Sequence, residues 1–372
     1  MINIHEPKIT LSDKIEMIKS LSTNWIGKGK KVDQFQDHLK KYLNLDNIVT
    51  VTSGTQALYE IFRLLKTKTN KKEIIISPIS FIGIASSIKI NDFEIKYADI
   101  DLNDLSLSLN SIKEKINHNT AAVVIQHYGG RPNREIQEIS DFLKQKNIYL
   151  IEDCATVLGG KINNQHLGRW GDFSIWSFDS VKIITTLDGG AIYCKNKNDL
   201  SIIENNIHFG LIDSPTTMLK FNQDIKNWWE IQPQRYGTKN ILNNITASLG
   251  ISQLKKIDFF INKQKDVWNY YQDNIKNSKI ILPQNPINFI DESYFLFWIL
   301  SDKRNELAWH LKQNNIFSTF RYYPLHKTSL YGDNLCKLPN TEQVYNDLLC
   351  IPCHKNLTKR NLKHIVNIIN NF

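Results

Sequence analysis

The 372-residue chain lacks any stretch approaching 18 uninterrupted apolar residues, and Met1 to Asp13 carry charges without an apolar segment. Neither a membrane span nor an export signal is expected, so the sequence reads as that of a soluble, cytoplasmic protein. Cysteine is scarce. Cys154, Cys194, Cys336, Cys350 and Cys353 form an odd, sparse set, poor material for a disulfide framework. Cys350-Ile351-Pro352-Cys353-His354 formally matches a covalent haem attachment pattern. Export and a haem-dominated domain are both missing, so two apolar thiols closing a buried segment are the favoured reading. A basic stripe is absent too: the formal charge is +9, but the only dense run is Lys28, Lys30 and Lys31, without interleaved aromatics. Nucleic-acid binding is therefore set aside, while the mild positive charge favours an anionic small substrate by steering.

What is present is globular. With 41% hydrophobic and 22% charged residues, collagen, coiled coil and wholesale disorder are excluded, and the length supports a sizeable core. Short β-branched or apolar runs at 48–52, 73–76, 93–97, 121–126, 148–151, 173–177 and 191–194 read as strands. Helical spacing falls between many of them, at 32–44, 57–65 and 134–146. Strand alternating with helix predicts an α/β fold, a mainly parallel sheet with helices on both faces. From about Leu254 the pattern turns helix-rich, with strand candidates at 294–300 and 317–323. A large domain over 1–254 and a smaller α+β domain over 255–372 are expected.

Three local features converge. Ser53-Gly54-Thr55 lies between a strand and a helix, where free N–H groups and the helix dipole favour a phosphate, although a serine there is more often only a cap. Asp153 ends a buried strand at the edge where open α/β sheets bind ligands. Lys182 sits in an aromatic and β-branched stretch, Trp176 to Thr186, whose poor hydration would lower its pKa and free a nucleophilic amine. Alone, it would be taken for a snorkelling surface lysine. Together the three supply what pyridoxal phosphate requires: an anchor for the phosphate, a counter-charge for the ring nitrogen, and an amine for the aldehyde.

The sequence resembles the DegT/DnrJ/EryC1/StrS sugar aminotransferases of aminotransferase fold type I, over nearly its whole length. The landmarks are Trp25-Ile26-Gly27, Val51 to Leu58, Ser80-Phe81, Gln126-His127-Tyr128-Gly129 and Glu152-Asp153-Cys154-Ala155. They continue with Gly171-Asp172-Phe173, Ser177 to Gly190, Ala247 to Leu254 and Arg321-Tyr322-Tyr323-Pro324-Leu325-His326. The resemblance implies a seven-stranded-type sheet and pyridoxal 5'-phosphate, alternating with its pyridoxamine form, as cofactor, with no metal. It implies that Lys182 holds the cofactor covalently and acts as the base, and that Asp153 partners the ring nitrogen. Gly54, Thr55 and Ser177 match phosphate-binding positions, and Phe81 matches the aromatic that stacks on the ring. Arg321, Tyr322 and His326 match a segment near the substrate.

Departures from the family pattern are also visible. Thr156 stands where a glutamine usually approaches the cofactor, and Leu187-Asp188-Gly189-Gly190 replaces Gly-Glu-Gly-Gly. The segment by which a neighbouring subunit contacts the phosphate reads Gly237 to Ile241, leaving Lys239, or else Asn240, to reach across a homodimer with shared active sites. The implied reaction moves an amino group from L-glutamate, released as 2-oxoglutarate, to a nucleotide-linked keto sugar, for an amino sugar of a surface polysaccharide or glycoconjugate. The run Lys182-Ile183-Ile184-Thr185-Thr186 resembles members acting at C4 of 4-keto-6-deoxy sugars more than those acting on 3-keto sugars. A non-catalytic binding protein on the same fold is the alternative from another class.

Overall fold

The structure, a computed structural model, describes residues 1–211, 233–333 and 335–372. Its first strands are β1 Ile48–Val51, β2 Glu73–Ile76, β3 Glu94–Tyr97, β4 Thr120–Gln126, β5 Tyr149–Asp153, β6 Lys161–Ile162 and β7 Gln165–His166. Next come β8 Phe173–Ser177, β9 Gly190–Cys194, β10 Ile290–Asp291, β11 Phe297–Leu300 and β12 Leu348–Ile351. The helices begin with α1 Leu11–Leu21, α2 Lys30–Leu43, α3 Gly54–Lys68, α4 Ile82–Ile90, α5 Leu109–Lys115, α6 Ile136–Gln145 and α7 Lys197–Asn206. After residues 212–232 follow α8 Asn244–Leu254, α9 Ile257–Asn274, α10 Arg304–Gln313, α11 Pro339–Asp347 and α12 Lys359–Asn370.

Seven strands form the large sheet, in the order β1-β9-β8-β5-β4-β2-β3. Only β9 is reversed: it pairs antiparallel with β1 and β8, whereas the other pairs are parallel. All seven residues of β4 are buried, as a strand covered by helices on both faces requires. Its side chains alternate between two cores: Val123 and Ile125 join one, Ala122 and Val124 the other. This is the α/β architecture expected from the alternating pattern.

A third core gathers Trp268, Tyr271, Phe297, Ile299, Leu311 and Ile365 around the two-stranded sheet β11–β12. The N-terminus reaches the same region, where Ile2 bridges Ile316. One expected strand is absent. Residues 317–323 form no continuous strand, because only Thr319 pairs with Cys350 before Phe320, Arg321 and Tyr322 turn to line a cavity. Cys350 and Cys353 are buried free thiols, and no helix among the described residues is long and apolar enough to cross a membrane.

Candidate active site

Parallel strands bring their C-terminal ends to one edge, and the register sets Gln126 of β4 beside Asp153 of β5, itself beside Ile175 of β8. These three residues line a cavity of about 660 Å³ together with the start of α3, the loop after β8 and the turn at 319–322. Lys182, Asp153, Gly54, Thr55, Phe81, Thr156, Ser177, Arg321 and Tyr322 all border it. Nine of the residues singled out along the sequence thus share one enclosure.

The anion end is built by close backbone approach. Ser53 caps α3, its Oγ accepting from the Gln56 N–H at 3.1 Å, which leaves the Gly54 and Thr55 N–H groups without an intrahelical acceptor. A Cβ on Gly54 would stand 2.8 Å from the Cβ of Ser177, and one on Gly190 would lie 2.7 Å from the Ser53 carbonyl. Both positions require glycine because three chain segments meet there. Gly83 does the same for Thr55 and Phe81, whose atoms would lie 2.7 and 2.9 Å from an added Cβ. Phe81, half exposed at the start of α4, meets Tyr322 edge-on at 5.7 Å.

Lys182 rides on residues 178–189, which join β8 to β9. Phe178 N–H donates to Gly189 O at 2.8 Å and Thr186 N–H to Phe178 O at 2.9 Å, closing the loop. Lys182 N–H donates to Asp179 O at 3.0 Å, and its Nζ lies 5.3 Å from the Phe295 ring centre. Burial pulls the pKa of this amine below its ordinary value, opposed by Asp153 and Asp179 and reinforced by Arg321. Burial likewise raises that of Asp153, opposed by the Ala155 N–H and by Lys182. Asp153 Oδ1 accepts from Ala155 N at 2.9 Å; among the described residues Oδ2 accepts nothing.

Other positions are placed differently. Thr156 borders the cavity, but its hydroxyl donates to His127 O at 2.9 Å. Lys239 is exposed, and Asn240 donates to Glu60 of its own chain at 3.1 Å; neither borders the cavity. His326 is buried, its Nε2 3.0 Å from Glu342, outside the cavity lining.

Nothing in the sequence marks His5, whose ring stacks on Phe295 at 4.3 Å. Burial, together with the charges of Arg321 and Lys182, holds its pKa well below the usual histidine value. Gln126, whose buried Oε1 has no partner among the described residues, was within reach of strand logic, since it ends the strand beside Asp153. His127, Glu152 and Cys154 place potential metal ligands within 4.8 Å of one another. Glu152 is instead bonded by the Gly168 and Gly171 N–H groups at 3.0 and 2.6 Å and by His127 at 3.2 Å.

An anion cradle at a helix start, a carboxylate with one free oxygen and a dehydrated amine fit pyridoxal phosphate part by part. The comparisons agree. A dTDP-4-dehydro-2,3,6-trideoxy-D-glucose 4-aminotransferase of Saccharopolyspora spinosa is 29% identical, the match covering 99% of this chain and 95% of that one. A UDP-4-amino-4,6-dideoxy-N-acetyl-beta-L-altrosamine transaminase of Campylobacter jejuni is 27% identical over 98% and 96% of the two chains. The crystal structure of the aminotransferase TlmJ from Streptoalloteichus hindustanus superimposes with a TM-score of 0.92 at 25% identity, covering 100% of this chain and 98% of that one. Residues 7–370 match the DegT/DnrJ/EryC1/StrS aminotransferase family, and the chain belongs to that family of pyridoxal phosphate-dependent enzymes.

Proposed function

We propose that this enzyme transfers the amino group of L-glutamate to C4 of a nucleotide-linked 4-keto-6-deoxy sugar, yielding an amino sugar for a surface polysaccharide or glycoconjugate. One observation carries the reading: Lys182, Asp153 and the start of α3 beside Ser177 border a single cavity. The relatives named above support C4, as does the Lys182 to Thr186 run.

Bound pyridoxal phosphate supplies an electron sink for the carbanion that forms at the amino-bearing carbon. The protein does the rest. Gly54, Thr55 and Ser177 hold the phosphate, and the α3 dipole favours its charge. Phe81 offers a flat face against the ring, while the free Oδ2 of Asp153 keeps a proton on the ring nitrogen. Lys182, its pKa lowered by burial, would hold the aldehyde carbon until the amino group of the donor takes its place, and the amine so released would move the proton at the substrate carbon as general base. Thr156 has committed its own proton to His127 O, so toward the cofactor it can only accept. Arg321 forms no ion pair among the described residues, and its guanidinium is free to bind an anionic group of either substrate, with Tyr322 beside it. His326, bonded to Glu342, supports this segment by packing rather than by touching substrate.

A homodimer with shared sites is part of the proposal. Leu11, Ile15, Ile18 and Leu21 give α1 an exposed apolar face, continued by Trp25 and Ile26, and Lys239 is exposed for a contact across the interface. The test is a screen of glutamate-dependent amination across nucleotide-linked 4-keto and 3-keto sugars, with mass detection of the product. Turnover of 4-keto compounds is expected. Conversion of 3-keto compounds only would overturn the C4 assignment, and Lys182→Ala should abolish both turnover and the visible absorption of the loaded enzyme.

A further inference from the structure

Lys355 lies between β12 and α12, far along the chain from the cavity loop, and is only 7% exposed. Its ammonium has no carboxylate partner among the described residues. Instead Nζ donates to Ile183 O at 2.6 Å, stands 3.5 Å from Lys182 O and lies 4.3 Å above the centre of the Phe260 ring. Dehydrating a cation without a counter-ion is costly, and burial lowers its pKa to about 8. Two main-chain carbonyls and an aromatic face therefore offset that cost.

The acceptors are the carbonyl of the peptide that leaves Lys182 and that of the next peptide, which leaves Ile183. Two successive carbonyls turned toward one cation restrain both peptide planes; the first flanks the Lys182 Cα, and the plane on its other side is held by the bond from Lys182 N–H to Asp179 O, so the direction in which the side chain departs is set from both sides. Bonds within the loop, among them Thr186 N–H to Phe178 O and Phe178 N–H to Gly189 O, restrain it from within. Lys355 restrains it from outside.

We propose that Lys355 is a positioning residue for Lys182, pinning the carbonyls of Lys182 and Ile183 so that the amine is aimed into the cavity. The proposal rests on Lys182 being the residue that binds the cofactor. Lys355 itself does not border the cavity and touches no reacting atom.

The experiment compares wild type with Lys355→Met and Lys355→Gln, first by circular dichroism of the cofactor-free proteins. Pyridoxal phosphate is then added, and borohydride-trapped label on Lys182 is followed by peptide mass spectrometry. In a folded variant the labelling rate should fall about 10- to 100-fold, with kcat falling alongside and KM for the sugar nucleotide unchanged. Lys355→Arg should recover part of the labelling rate, because it restores a cation facing the carbonyls. Labelling at the wild-type rate in a folded variant overturns the positioning role while leaving Lys182 as the cofactor lysine. If neither variant folds, Lys355 serves the core alone and the proposal falls. If wild type carries no label on Lys182, the functional reading fails, and this proposal with it.

Discussion

Glu152 and Asp153 are consecutive carboxylates at the end of β5, and strand geometry sends them to opposite faces of the sheet. On one face Glu152 is enclosed by three N–H donors: Gly168, Gly171 and the His127 ring. The His127 tautomer follows from its other nitrogen, which accepts from Asn133 N–H at 3.0 Å and so leaves the proton on Nε2. On the other face Asp153 receives a single backbone N–H and keeps an oxygen free beside the cavity. Chemically alike, the two acids differ in how completely the fold has satisfied them. A carboxylate with both oxygens engaged serves the architecture; one left short of partners is available to a ligand.

That contrast can be broken by substitution. The largest effect is expected for Asp153→Asn, which removes the charge proposed to face the cofactor ring: kcat/KM should drop by about 10²- to 10³-fold while the protein stays folded. Glu152→Gln should do the reverse. Its new amide group would face an N–H donor, so unfolding free energy measured in urea should fall by about 3 kcal/mol, and the folded fraction should keep most of its turnover. Thr156→Ala removes one buried hydroxyl donor to His127 O and should cost about 1 kcal/mol on the same scale.

The finest discrimination is one of sign. Burial raises the Asp153 pKa in the folded cofactor-free protein above its ordinary value of 3.8, so ionisation opposes folding as pH rises past that value. Cofactor-free Asp153→Asn should therefore melt higher than wild type at neutral pH. Its advantage should fade as pH falls through 3.8 and vanish below it, where the wild-type carboxyl is protonated in both states. An advantage independent of pH would show that the carboxylate is not destabilised by burial.

Much of this was legible in the sequence, for definite reasons. Strands such as Glu73–Ile76 and Phe173–Ser177 announce themselves by apolar, β-branched composition, and Asp153 and Ser177 fall at strand ends, where ligands gather. Lys182 stood out by its surroundings, and Gly54 by its place before a helix. What stayed hidden depends on contacts between distant segments. His5 comes against Phe295 because the N-terminus crosses to Ile316, and Lys355 comes behind the cavity loop because the segment after β12 folds back against residues 182 and 183. Aromatic and β-branched content at 317–323 promised a strand, but pairing ends at Thr319 as the backbone bends toward the cavity. His326, adjacent in sequence to the cavity-lining turn, is drawn off by Glu342.

The reversal of β9 has a mechanical corollary. A crossover connection would have carried Lys182 on a long excursion over the sheet face. Here the segment leaves and re-enters at neighbouring strands, with Ser177 opposite Gly190. Lys182 stands on a short bridge with both footings in the same wall. The amine is thereby tied to the sheet itself, whereas the 319–322 turn on the cavity rim has a single strand-like pairing, at Thr319, to hold it.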